Sequence, residues 1–301
     1  PNPREIRLGH YQMLVRAGIP FDIVDETALE ADEGRRYKLM ILPNCACLSD
    51  GQCRILEAYV ANGGGLIADF ETSLYDEQGR QRPDFGLATV FGVRNLNKVR
   101  GPHPNDFAFI RRDALPCLAG LRSEMIPGTQ YGLHVALARA TTLGVYSKPL
   151  VSNLVGRVDP SEDAFLVESR TGSGRCFYFP STFGQAFAQH EIDIFLDLFR
   201  RLVRDVVEPP IRLEHAPHLL EVLLRRQESP ARTIVHLLNY ELQPITGAVP
   251  AHDVKITVRC PHPVTRAAAL RAGAALPFRR TGDEVTVRVP VVHEFEAVVL
   301  E

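Results

Sequence analysis

Two carboxylates stand at the end of an apolar segment that is typical of a buried strand. Asp69 and Glu71 follow Leu66-Ile67-Ala68, and side chains two residues apart on a strand point to one face. Such a pair could act as general acid and general base, at the edge where α/β sheets bind ligands. A solvated loop, or a hydrogen-bonded carboxylate at an interface, is the commoner origin of this pattern.

A strand-end crevice is therefore the candidate ligand site. Asn44 follows the preceding predicted strand, and Phe183 follows the last predicted strand of the same sheet. Because the carboxyl ends of parallel strands meet at one edge, we expect Asn44, Asp69, Glu71 and Phe183 to lie near each other. The ligand would be a small molecule or a carbohydrate.

The cysteines give no comparable signal for a metal. Cys45, Cys47 and Cys53 are close in sequence, but their spacing matches no strong zinc pattern and no histidine lies near them. Most of the six cysteines sit in apolar runs, so we predict buried free thiols, which suit a reducing compartment. We predict no metal site and no cofactor.

The elements that would position the crevice alternate between strand and helix. Apolar residues at helical spacing predict a helix over 5–17 that ends at Gly18. The capping-box spacing of Ser49 and Gln52 predicts the start of a second helix. Short apolar runs predict strands at 21–24, 37–42 and 66–70. This order predicts a flavodoxin-like α/β fold with a parallel sheet.

The later part of this domain carries two clear signals. Strands are predicted at 164–168 and 175–179, joined by the turn residues 171–174, and a helix is predicted over 192–206. In residues 72–160, prolines interrupt regular secondary structure. A short helix is predicted over 85–91 and strands at 107–110 and 142–146.

A change of periodicity at Pro209-Pro210 marks a domain boundary. Downstream of it, apolar and β-branched residues alternate with period two between turn residues, which predicts a small all-β sandwich. The predicted domains are 1–208 and 209–301. The first domain begins on a helix, so the opening strand of a flavodoxin-like sheet is missing and would lie upstream of Pro1.

Composition excludes several classes of partner. The 301 residues carry a formal net charge of -2, so there is no electrostatic case for nucleic acid or an anionic membrane as a partner. No apolar run reaches the roughly 18 residues of a membrane span, and no signal peptide is recognisable. We expect a cytoplasmic protein, with the reservation that a chain starting at Pro1 could have lost a signal peptide.

Four segments carry a resemblance to a known family. They are YKLMILPN at 37–44, YVANGGGLIA at 59–68, GSGRCFYFP at 172–180 and TIVHLLNY at 233–240. The first three resemble the trimerisation domain of family 42 β-galactosidases, which has the class I glutamine-amidotransferase-like fold. The fourth, with residues 289–300, is similar to the C-terminal β-domains of those proteins.

The resemblance implies a non-catalytic role for this chain. In such families a (β/α)8 barrel precedes this region and carries the catalytic carboxylates, and the barrel is absent from the sequence. The resemblance also implies a homo-oligomer, such as a trimer, in which this domain lies near the entrance to the barrel's active site. Glu71 could then line the pocket of a neighbouring subunit.

An amidotransferase activity of this fold is not expected here. It requires a cysteine on the turn after the strand at 66–69, activated by a histidine. Phe70 or Glu71 occupies that turn, and the nearest His-Glu pair, His190-Glu191, has the wrong spacing and is predicted to start a helix. We therefore predict no catalytic residue in this chain.

Three functions stay open at this point. The leading one is a non-catalytic portion of a glycoside-hydrolase-like enzyme that mediates oligomerisation and shapes the active-site rim, with the carbohydrate substrate of the parent enzyme as partner. The second is a sugar-binding or other small-molecule-binding module that uses the crevice around Asp69 and Glu71. The third is a hydrolase with its own site at those two carboxylates.

Overall fold

The computed structural model describes residues 1–103, 106–148, 158–243 and 247–301. They form two units, which are considered separately. The first consists of 1–11 and 23–208, and the second of 12–22 and 209–301. The domain boundary predicted between residues 208 and 209 stays a prediction.

Short helices and strands alternate through the first unit. The α-helices are α1 (Pro3–Arg16, which continues into the second unit), α2 (Glu26–Glu30), α3 (Asp50–Ala61), α4 (Ala88–Phe91), α5 (Phe183–His190) and α6 (Asp193–Val206). The strands are β1 (Leu39–Leu42), β2 (Gly65–Asp69), β3 (Val93–Arg100), β4 (Phe107–Ile110), β5 (Met125–Pro127), β6 (Gly132–Leu137), β7 (Thr141–Ser147), β8 (Pro160–Thr171) and β9 (Gly174–Phe179). Two 3₁₀ turns lie at Glu33–Arg36 and Pro116–Leu118.

A seven-stranded mixed sheet forms the centre of this unit, in the order β1-β2-β9-β8-β7-β4-β5. Only β1, β2 and β9 are parallel; β8, β7, β4 and β5 add on as antiparallel neighbours. The prediction of an α/β domain is confirmed, and its sheet is parallel in one part and antiparallel in the other. The tight turn at Gly172 (φ 58°) makes β8 and β9 a hairpin.

One predicted strand does not form. Residues 21–24 carry no strand, and Ile23 is 87% exposed. Pro20 precedes the segment, and Asp25 follows it as the N-cap of α2, accepting a hydrogen bond from the Ala28 N–H. Residues 21–24 do not pair with β1, whose one neighbour among the described strands is β2.

The helix α3 begins where the capping box predicts. The Ser49 hydroxyl accepts a hydrogen bond from the Gln52 N–H (3.1 Å), and the Gln52 side chain accepts one from the Ser49 N–H (2.9 Å). The helix buries Leu56 and Val60 against the core that also covers β2, of which all five residues are buried. The last residue of β2, Asp69, is therefore held on a rigid element.

The second unit contains a β-sandwich, as predicted. One sheet has four strands in the order β10 (Ile211–Glu214), β15 (Ala251–Arg259), β19 (Glu284–Val292) and β18 (Phe278–Thr281). The other has five, in the order β11 (Leu220–Gln227), β12 (Arg232–Asn239), β20 (Phe295–Leu300), β16 (Ala267–Ala269) and β17 (Ala274–Ala275). In addition, β13 (Leu242–Gln243) pairs antiparallel with β14 (Gly247–Ala248). Alternate residues of both sheets share one buried core.

Candidate functional site

Asp69 is the last residue of β2, and its carboxylate is fully buried. Its Oδ1 accepts a hydrogen bond from the Asn44 N–H at 2.7 Å, and its Oδ2 accepts one from the Gly184 N–H at 3.2 Å. Both oxygens are thus occupied by backbone donors of this chain. The side chain joins the ends of β1 and β2 to the start of α5.

A buried histidine faces the same carboxylate. His10 of α1 lies with its Nε2 3.8 Å from Asp69 Oδ2, while its Nδ1–H donates to the Ile6 carbonyl at 3.0 Å. Burial raises the pKa of Asp69 to about 6, against the opposing effects of His10 and the two backbone N–H donors. The pair forms an enclosed imidazole–carboxyl contact.

Two glycines allow α1 to approach α5 closely enough for this contact. A Cβ atom at Gly9 would overlap the Gly184 carbonyl, and one at Gly184 would overlap the Ile6 carbonyl and the His10 ring. Neither glycine has a left-handed φ, so close helix approach, not backbone freedom, is the reason for glycine.

The turn after β2 is built from left-handed residues. Phe70 has φ 47° and Ser73 has φ 65°, and Asn44 at the end of β1 has φ 48°. The Asn44 side-chain oxygen accepts a hydrogen bond from the Glu71 N–H (3.0 Å), which fixes the two strand ends to each other. Non-glycine residues in this conformation are uncommon. Three of them close together indicate that contacts with the surrounding structure hold the backbone of this turn in place.

The expected acid–base pair is not formed. Glu71 lies beyond the end of β2, and the left-handed turn at Phe70 removes it from the strand face that carries Asp69. The prediction that both carboxylates share a face is therefore wrong. Glu71 is half-buried, and burial raises the pKa of its carboxyl, against a hydrogen bond with Tyr75.

Phe183 belongs to the core. Its ring is fully buried, stacks on Phe179 at 4.1 Å between centroids, and meets the Phe195 ring edge-to-face at 5.5 Å. The ring therefore presents no free face. Of the four residues predicted as a ligand site, Glu71 is the most accessible, and the ligand site itself stays a prediction.

The turn that would carry a nucleophile carries Phe70, whose side chain is buried. The thiol of Cys45 lies near Asp69, but burial raises its pKa to about 12, so it does not form the thiolate that a nucleophile needs. His190 and Glu191 are exposed at the end of α5, not at a helix start as predicted.

The fold and the turn define a class of protein: an amidotransferase-like α/β domain without a nucleophile at its strand end, combined with a β-sandwich. A family model for the β-galactosidase trimerisation domain matches residues 3–205. The chain belongs to the β-galactosidase trimerisation-domain family of glycoside hydrolase family 42.

Three relatives show the extent of the similarity. β-Galactosidase BglY of Alicyclobacillus acidocaldarius is 32% identical over 73 residues, which are 24% of this chain and 10% of that protein. The α-L-fucosidase isoenzyme 2 of Paenibacillus thiaminolyticus has a TM-score of 0.73 at 21% identity, over 99% of this chain and 45% of its own. A β-galactosidase of Bacillus circulans sp. alkalophilus has a TM-score of 0.67 at 16% identity, over 100% and 38%.

The chain thus spans less than half the length of these proteins. Because the two solved structures are only 21% and 16% identical to this chain, the similarity shows a shared fold. Among the described residues, no helix combines the length and apolar character that a membrane span requires.

Proposed function

We propose that this chain is the non-catalytic oligomerisation portion of a glycoside-hydrolase enzyme and that its α/β unit contributes to a trimer. The match to the trimerisation-domain family over 3–205 carries this proposal. It is supported by the buried Phe70 at the turn where an amidotransferase of this fold needs a nucleophile. Both oxygens of the Asp69 carboxylate accept hydrogen bonds from backbone N–H groups, and this supports a structural role for the strand ends.

The catalytic barrel of the parent enzyme would lie upstream of Pro1. This chain spans 45% and 38% of the two solved relatives, so more than half of each relative lies outside the match and could include such a domain. The outer edge of β1, without a described neighbour, is where we place an additional strand from the upstream part. The six free thiols support a cytoplasmic location.

The substrate of the parent enzyme would be a glycoside, and Glu71 would lie at the rim of a neighbouring subunit's active site. Its partial exposure supports this position, since the other residues of the strand end are buried. A rim carboxylate acts by contacting the sugar, so its loss would raise KM and change kcat little.

The test uses the complete gene product. Light scattering coupled to size exclusion should give three times the subunit mass, and the protein should hydrolyse nitrophenyl galactosides or fucosides. Glu71→Gln should raise KM, while Glu77→Gln, an exposed carboxylate of the same loop, should not. A monomeric full-length protein contradicts the oligomerisation role. Hydrolysis by residues 1–301 alone contradicts the non-catalytic one.

Direct sugar binding by the strand-end crevice is the second candidate. The half-buried Glu71, with a pKa raised by burial, is the observation that favours it. Calorimetry of this chain with galactose, fucose and oligosaccharides should then show heat that Glu71→Gln removes and Glu77→Gln retains. Absence of heat with all of them eliminates this candidate.

A further inference from the structure

The outer face of the four-stranded sheet in the second unit carries a shallow cavity of about 250 Å³. It is lined by residues of three neighbouring strands, among them Lys255, Phe278, Arg279, Thr286 and Arg288. Three of these five are cations, and none belongs to the strand end described above.

Two of the cations face each other directly. Lys255 of β15 and Arg288 of β19 are register partners, so their side chains stand side by side. Like charges in this position repel and destabilise a sheet. Glu214 forms an ion pair with Lys255 at 2.8 Å, while Asp253 forms a longer one with Arg288 at 3.9 Å, which is beyond hydrogen-bond distance.

The third cation is less compensated. Arg279 of β18 is the register partner of Thr286, is exposed, and forms no ion pair or hydrogen bond with any described residue. It therefore adds a free guanidinium to the edge of the cavity, next to the Lys255–Arg288 pair.

The floor between the cations offers hydroxyl groups. The Thr286 hydroxyl hydrogen-bonds to the Thr257 hydroxyl at 3.1 Å and retains capacity for another partner. Phe278 also borders the cavity, but its side chain packs against the sandwich core. Guanidinium groups, an ammonium and a hydroxyl around one cavity are the donor set that binds oxyanions.

We propose that this cavity is a binding site for an oxyanion, such as the phosphate, sulfate or carboxylate group of a small molecule. Arg279 and Arg288 donate hydrogen bonds to the anion, Thr286 donates a third, and Lys255 adds charge. The anion relieves the repulsion between Lys255 and Arg288. This site is independent of the oligomerisation role and does not require a catalytic domain.

Titration calorimetry of the chain tests the site, with sodium phosphate, sodium sulfate and sodium galacturonate as separate probes. Sodium chloride keeps the ionic strength constant, and galactose is the uncharged control for galacturonate. We expect saturable binding of at least one anion and none of galactose. Tighter binding of galacturonate than of the inorganic anions identifies an acidic sugar as the ligand class, and the reverse identifies a phosphate or sulfate group.

Variants locate the binding. Arg279→Gln and Arg288→Gln should each weaken it about tenfold or more, because each removes a charge-assisted hydrogen bond. Arg226→Gln removes an exposed positive charge of β11 in the other sheet and should leave the affinity unchanged. Three outcomes overturn the proposal: no saturable binding, an equal loss in all three variants, and no loss in the two cavity variants. Circular dichroism confirms that each variant is folded.

Discussion

The carboxylate of Asp69 accepts a hydrogen bond from the N–H of Gly184, a residue 115 positions later in the chain. Through this bond the last residue of β2 reaches the start of α5, and the second oxygen of the same carboxylate holds Asn44 at the end of β1. One buried side chain therefore joins three elements at the edge where related α/β sheets bind ligands.

Asp69 should make the stability of the α/β unit depend on pH. Its pKa in the folded chain is about 6, against an ordinary value of 3.8, so the folded state binds the proton more tightly. The contribution to stability is complete below about pH 4 and is lost as the pH rises through 6. The loss amounts to a few kcal/mol, at about 1.4 kcal/mol per pKa unit.

Urea unfolding of the wild type and Asp69→Asn, measured at intervals from pH 4 to pH 7, checks this. The difference in unfolding free energy between the two proteins should change across this range, with the variant gaining relative to the wild type as the pH rises. Glu77→Gln, at an exposed site, should show a constant difference. A constant difference for Asp69→Asn as well would mean that Asp69 stays ionised throughout.

Gly184→Ala should be strongly destabilising. The new Cβ would overlap the Ile6 carbonyl and the His10 ring, and backbone atoms cannot move aside as a flexible side chain can. We expect a loss of about 3 kcal/mol or more. Gly51→Ala in α3 is the matched control, because a Cβ there meets only ordinary contacts, and it should be neutral or stabilising by up to about 1 kcal/mol.

At position 44, replacement by glycine should destabilise the protein less than replacement by alanine. Asn44→Gly keeps the left-handed backbone and loses only the hydrogen bond from the Glu71 N–H, at about 1 kcal/mol. Asn44→Ala loses the bond and adds the cost of a Cβ at φ 48°, about 1 kcal/mol more. Thermal unfolding of both variants measures which one is more stable. If Asn44→Ala is as stable as Asn44→Gly or more stable, the turn relaxes to accommodate the Cβ.

Ser49→Ala should cost about 1 kcal/mol, because it removes the side-chain half of the capping box that starts α3. Ser49→Asp retains an acceptor for the Gln52 N–H and should recover most of that stability. Denaturant unfolding at neutral pH measures both. Equal losses in the two variants would assign the effect to packing and not to the cap.

Local patterns predicted most of the fold. The capping box, the helical spacing of α6 and the period of two in the second unit depend on residues close in sequence, and all three are confirmed. The strand predicted at 21–24 does not form: the segment lies between Pro20 and Asp25, the N-cap of α2, and it does not pair with the open edge of β1. The antiparallel pairing of β8 with β9 agrees with the turn predicted at residues 171–174 between the two strands.

The strand end was predictable in part. Position and residue type singled out Asp69, but not its burial. His10 and Gly184 were missed because their contacts with Asp69 join distant parts of the chain. The available signals were a histidine beside Gly9 on an apolar helix face and a glycine near the start of α5. The sequence did not show that Phe183 is buried in the core, because a buried aromatic residue and a ligand-stacking one have the same appearance in a sequence.

The pairing of β2 with β9 also sets the timing of events on the ribosome. Gly65 and Arg175 are register partners, and roughly 110 residues separate them. At about 5–20 residues per second, β2 waits several seconds for its second neighbour after it has been synthesised. All five of its residues are buried in the finished sheet, so during this interval the strand exposes surface that the completed fold covers.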